Sequence, residues 1–128
     1  MRRVLLVEDD ASVAAGIAAL LDADGYQVHV VHAGLQAVDA VEEFGPAVVV
    51  LDVRLHDIDG SVVFRMLRDR WSDLPVIFSS GHVHDLAEVG AANEKRVALL
   101  RKPYDGSTLV EAIEAVASSP GASEQETP

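Results

Sequence analysis

Cysteine is absent from the 128 residues. Its absence excludes disulfides, thiolate zinc sites and cysteine nucleophiles, and it fits a cytosolic chain. Cations are scarce: 10 Lys and Arg stand against 21 Asp and Glu, a net charge of -11. That balance opposes nonspecific binding to DNA, RNA or an anionic membrane, whose phosphates need positive partners. The densest basic group, Arg65, Arg68 and Arg70, is interrupted by Asp69 and followed by Asp73. Long hydrophobic runs are missing too. "VLLV" near the N-terminus stops at three consecutive acids, too soon for a signal-peptide core. No run approaches the ~20 apolar residues of a membrane span. The expectation is a cytoplasmic protein with no membrane insertion and no direct nucleic-acid contact.

What is present is a 49% hydrophobic, 24% charged chain of one-domain size. Short apolar runs alternate with helix-period segments. Strands are predicted at 4–7, 26–32, 47–52, 75–79 and 97–100. Helices are predicted at 12–25, 35–44, 61–71, 84–92 and 107–117. In the first helix Val13, Ile17, Leu20 and Leu21 share a face and Gly25 is a C-cap. Leu35, Val38 and Val41 share a face of the second, and Leu109, Ile113 and Val116 a face of the last. "SSPGASEQETP" (118–128) reads as a polar, disordered end. The division is therefore one domain over 1–118 and a tail over 119–128. Five strands alternating with five helices imply an α/β fold with a parallel sheet covered on both faces. Right-handed crossovers and short loops favour an open doubly wound sheet.

In such a sheet, sites form beyond the carboxyl ends of the strands. Glu8, Asp9 and Asp10 follow the first strand, Asp52 ends the third, Ser79 and Ser80 follow the fourth, and Arg101 and Lys102 follow the fifth. With strand order 2-1-3-4-5, Glu8, Asp9 and Asp52 converge. Clustered carboxylates repel, and a hard cation with oxygen ligands such as Mg²⁺ relieves them. A lysine adds a mobile positive charge for a phosphoryl oxygen, and a carboxylate can itself be the nucleophile. Each feature alone has an ordinary structural reading; Asp10, for one, suits a helix N-cap. Their joint placement at one sheet edge is what carries weight.

These residues resemble the receiver domain of two-component response regulators over roughly residues 2–118. The matching stretches are "LLVEDD", "VVVLDVRLHDIDG", "PVIFSSG" and "LLRKPYD". The resemblance implies a flavodoxin-like five-stranded sheet of order 2-1-3-4-5. It implies Asp52 as phosphoacceptor, Lys102 and Ser80 as its lysine and switch hydroxyl, and Mg²⁺ as cofactor. Asp9, Asp52 and the backbone carbonyl of Arg54 would bind the ion directly and Glu8 through water. Gly60 matches the turn glycine of the family, and Pro103 a proline whose peptide bond is typically cis. The phosphoryl donor would be a histidine on a sensor histidine kinase or a histidine phosphotransfer protein. The switched surface would involve the segment 84–92, the fifth strand and the last helix.

Three positions depart from the pattern. His56 stands where the family usually has proline, which implies a less rigid loop after Asp52. Leu99 replaces an aromatic three residues before Lys102, which argues against a rotating-tyrosine switch, although Tyr104 is close in sequence. "AANEKRVALL" lacks the usual Gly-Ala before the fifth strand, which implies an irregular helix there. Arg54 and His82 occupy variable positions that tune phosphoryl lifetime in the family. His29, His32, His56 and His84 have no metal-like partner spacing, and the H-x-H pair His82 and His84 is a weak metal motif. No output domain follows in this chain, so output is expected through protein contact or phosphoryl relay. A receiver excised from a hybrid kinase would look the same. A pseudo-receiver that is never phosphorylated is the first alternative, opposed by the presence of every site residue type. A Mg²⁺-dependent phosphohydrolase would place a second acid where Arg54 stands. A flavin-binding protein would want a Ser/Thr-rich loop where "EDDAS" is anionic.

Overall fold

Five apolar runs become five parallel strands in the order β2-β1-β3-β4-β5. They are β1 (Arg3–Val7), β2 (Gln27–Val31), β3 (Val48–Asp52), β4 (Val76–Ser80) and β5 (Val97–Arg101). The helices are α1 (Ala11–Ala23), α2 (Ala37–Phe44), α3 (Gly60–Arg70) and α4 (Gly106–Ser118). The computed structural model describes residues 2–81 and 96–118. The helix predicted at 84–92, the pair His82 and His84, the start of the segment entering β5 and the tail 119–128 lie outside the described residues.

Strands β3 and β4 are buried along their whole length, which is why their sequences do not alternate. Leu5, Val7, Leu51 and Phe78 face one side, where they pack with Val41 of α2 and Phe64 and Leu67 of α3. Val4, Leu6, Val50 and Ile77 face the other, against Ile17 and Leu21 of α1 and Leu109 and Ile113 of α4. The two layers fix the sheet edge on which the acids sit.

Helix ends follow local chemistry. Asp10 caps α1, its Oδ1 accepting from the N–H groups of Ser12 (3.0 Å) and Val13 (3.1 Å). Gly25 lies just past that helix with φ 88°, the left-handed conformation that favours glycine.

Two expected faces are corrected. In α1 the buried set is Ala14, Ile17 and Leu21, while Val13 and Leu20 remain 36% and 42% exposed. The small Ala14 faces the sheet and rotates the stripe by one residue. Leu35 is 61% exposed and belongs to a 3₁₀ turn, Gly34–Gln36, ahead of α2. The turn is pinned: the N–H groups of Gly34 and Leu35 donate to Asp57 Oδ1 (2.9 Å) and Oδ2 (2.8 Å). A Cβ on Gly34 would come within 2.8 Å of Val63 and 2.9 Å of Ile58, so only glycine permits this approach.

Candidate functional site

Parallel strands deliver their carboxyl ends to one edge, and β1 and β3 are direct neighbours there. Glu8 and Asp9 continue β1, and Asp52 is the last residue of β3. One carboxylate oxygen from each of the three lies within 4.8 Å of the others. Glu8 and Asp52 are buried, at 2% and 7% exposure. Lys102, one residue past β5, reaches across β4 to them: its Nζ is 2.6 Å from Glu8 Oε1 and 3.4 Å from Asp52 Oδ2. The Lys102 N–H donates to the Ser80 carbonyl at 2.7 Å, and the Lys102–Pro103 bond is cis. Gly60 closes the loop from behind. Its N–H donates to the Val53 carbonyl at 2.8 Å, and a Cβ there would collide with the Asp52 carbonyl oxygen.

Among the described residues, three carboxylates converge and one ammonium reaches two of them. Burial, and then the neighbouring Glu8, push the Asp52 carboxyl up to about 6 against the pull of Lys102 and the Arg54 N–H. Burial works against the Lys102 ammonium, but its hydrogen bond to Glu8 and the charge of Asp52 outweigh this and raise it. One ammonium thus serves two buried acids, with Asp9 beside them. An oxygen-only donor set with uncompensated negative charge fits a hard divalent cation such as Mg²⁺.

Glu8, Asp9, Asp52 and Lys102 are brought together as the sequence predicts. Ser80 is buried at the end of β4, one residue past Ser79, the register partner of Asp52. Arg54 is exposed and its N–H donates to Asp52 Oδ1 at 3.2 Å. Leu99 sits in mid-strand beside Phe78, packed on the core.

Other groups at this edge have no clear sequence signal. The His56 N–H donates to Asp9 Oδ2 at 2.7 Å, and its Nδ1 lies 3.4 Å from the same oxygen, so this histidine does have an acidic partner. His32 Nδ1 is 2.9 Å from the Glu8 carbonyl oxygen. The Tyr104 hydroxyl lies 3.3 Å from Ser79 Oγ. Only the nearness of Tyr104 to Lys102 in sequence hinted at any of these.

The response regulator receiver domain family matches residues 4–114. Among curated relatives, the sensor kinase CckA of Brucella abortus is 34% identical over 112 residues, 86% of this chain and 12% of that protein. The response regulator MprA of Mycobacterium avium is 37% identical over 75 residues, 59% of this chain and 33% of that protein. The chain thus spans a third or less of the length of these relatives. Among solved structures, a sensor protein from Polaromonas superposes with a TM-score of 0.82 at 27% identity, covering 91% of this chain and 96% of that one. The receiver domain of the sensor histidine kinase PA1611 from Pseudomonas aeruginosa, with a magnesium ion coordinated in its active site cleft, superposes with a TM-score of 0.76 at 26% identity. That match covers 92% of this chain and 98% of the other. With the matching fold and the acid–lysine cluster at its carboxyl edge, the chain belongs to the response regulator receiver domains of two-component systems.

Proposed function

We propose that this receiver takes a phosphoryl group onto Asp52 from a phosphohistidine of a sensor histidine kinase or histidine phosphotransfer protein. The observation that carries this reading is the convergence of Glu8, Asp9 and Asp52, with oxygens within 4.8 Å, under a single lysine. Asp9, Asp52 and the Arg54 carbonyl would hold Mg²⁺, with Glu8 acting through water. When bound, the ion supplies charge neutralisation among the carboxylates and the phosphoryl oxygens.

The rest is done by the chain. An Asp52 oxygen attacks phosphorus, an O–P bond forms, and the P–N bond to the donor imidazole breaks with its electron pair leaving on that nitrogen. Burial and the neighbouring Glu8 make ionised Asp52 costly before a cation arrives, which favours both cation binding and use of the carboxylate as a nucleophile. The Arg54 N–H, already donating to Asp52 Oδ1, is positioned to donate to a negatively charged phosphoryl oxygen beside that carboxylate. Lys102 exchanges a carboxylate oxygen for a phosphoryl oxygen, and the Ser80 hydroxyl meets another. That local change biases a two-state interaction surface. In this reading the chain assists only its own phosphorylation and dephosphorylation and is not an enzyme acting on a separate substrate.

The test is incubation with Mg²⁺ and acetyl phosphate followed by intact mass measurement. Wild-type protein gains one phosphoryl group and Asp52→Asn gains none. Absence of an adduct in the wild type, together with failure to bind a beryllofluoride mimic, contradicts the proposal.

A further inference from the structure

We propose that His56 is a positioning residue for the Asp9 carboxylate, acting through its main-chain N–H; this rests on the reading of Asp9 as a Mg²⁺ ligand. Two contacts join the residues: N–H to Asp9 Oδ2 at 2.7 Å, and Nδ1 to the same oxygen at 3.4 Å. The imidazole is 92% exposed, so its ion pair is screened by water and worth little. The N–H bond is short, charge-assisted and made to a side chain only 12% exposed. It fixes the carboxylate rotamer before any cation arrives while leaving the negative charge in place. Hydrogen bonds of this outer kind change metal affinity by ~10–100-fold.

The donor is itself held. Asp57, the next residue, accepts from the N–H groups of Gly34 and Leu35, tying the loop to the turn after β2. Gly60 bonds to Val53 at the far end of the same loop. The loop therefore presents its N–H from a framework anchored on both sides. A proline in the place of His56 has no N–H to give. The loop's fixity comes here from hydrogen bonds to carboxylates rather than from a pyrrolidine ring.

Mg²⁺ titration calorimetry on wild type, His56→Ala and His56→Pro separates ring from backbone. The alanine variant deletes the imidazole and keeps the N–H; the proline variant deletes both. The dissociation constant of His56→Pro exceeds that of His56→Ala by about 10-fold or more. Equal constants in the two variants overturn the inference. A wild type that binds no Mg²⁺ overturns the proposed function, and the inference falls with it. Amide exchange supplies a measurement that needs no proline variant. The His56 amide proton is protected in the wild type and loses protection in Asp9→Ala. An unprotected His56 amide in the wild type overturns the inference.

Discussion

Lys102 is bonded more closely to Glu8 than to Asp52: 2.6 Å against 3.4 Å. The ammonium is therefore parked on the neighbouring acid and only half-engaged with the carboxylate proposed to react. Two consequences follow from that asymmetry. Asp52 is incompletely neutralised, and any shift of Lys102 toward a new partner must draw it from Glu8 as well as from Asp52.

Replacing Lys102 by Met keeps most of the stem and deletes the charge. Glu8 and Asp52, both buried, then lose their shared cation. The expected loss at neutral pH is about 1–3 kcal/mol, measured as a fall in the urea midpoint. The loss shrinks as pH falls toward about 6, where Asp52 takes up a proton even beside Lys102.

Asp52→Asn stabilises the metal-free protein at neutral pH. Its carboxyl is raised in the fold from 3.8 to about 6, so the folded state binds the proton more tightly than the unfolded chain. Stability from this group is present below about pH 4, is lost as pH rises to about 6, and stays lost above. Removing the charge recovers about 1–3 kcal/mol at neutral pH and little at pH near 4. Urea unfolding of both proteins across that range checks it, and a less stable Asn variant at neutral pH contradicts it.

If Asp9 and Asp52 hold Mg²⁺ as proposed, the ion is expected to stabilise the wild type by mass action, about 1.4 kcal/mol at ten times its dissociation constant. The gain weakens below about pH 6, as protons compete for Asp52. It is largely lost in Asp9→Ala. Thermal unfolding with and without Mg²⁺ reads all three effects.

Gly60→Ala is destabilising by about 1–3 kcal/mol, because the new Cβ meets backbone that cannot swing away. It would lie 2.8 Å from Val53 Cα and 3.1 Å from the Val53 carbonyl, besides the collision with the Asp52 carbonyl. Since the displaced atoms belong to the strand end that carries Asp52, Mg²⁺ affinity falls as well. Chemical denaturation and calorimetry on the same variant test both parts.

The features legible in the sequence are those with a side-chain signature. "VVVLD" announced a strand buried on both faces with an acid at its end, and β3 is that strand. Alternation and handedness point to an open doubly wound sheet, the resemblance to receiver domains supplies the order β2-β1-β3-β4-β5, and that order puts Glu8, Asp9 and Asp52 together. Helix faces were less legible. Val13 and Leu20 fit the α1 stripe as well as Ala14 does, and only packing distance decides for the small residue. Leu35 looked helical because its period continues into α2, whereas Asp57 holds that turn from a distant loop. The bond from His56 to Asp9 left no trace, since every residue but proline carries an N–H. The pairing of Tyr104 with Ser79 depends on how the chain leaves β5, which composition does not encode.

The central claim is that Asp52 itself carries the phosphoryl group. The most direct measurement treats the protein with Mg²⁺ and acetyl phosphate, reduces it with borohydride, and sequences the peptide spanning 48–60 by mass spectrometry. Reduction of an aspartyl phosphate gives homoserine, and the account predicts homoserine at position 52 alone. Homoserine at another aspartate, or an unmodified Asp52 in protein shown to bind Mg²⁺, would contradict it.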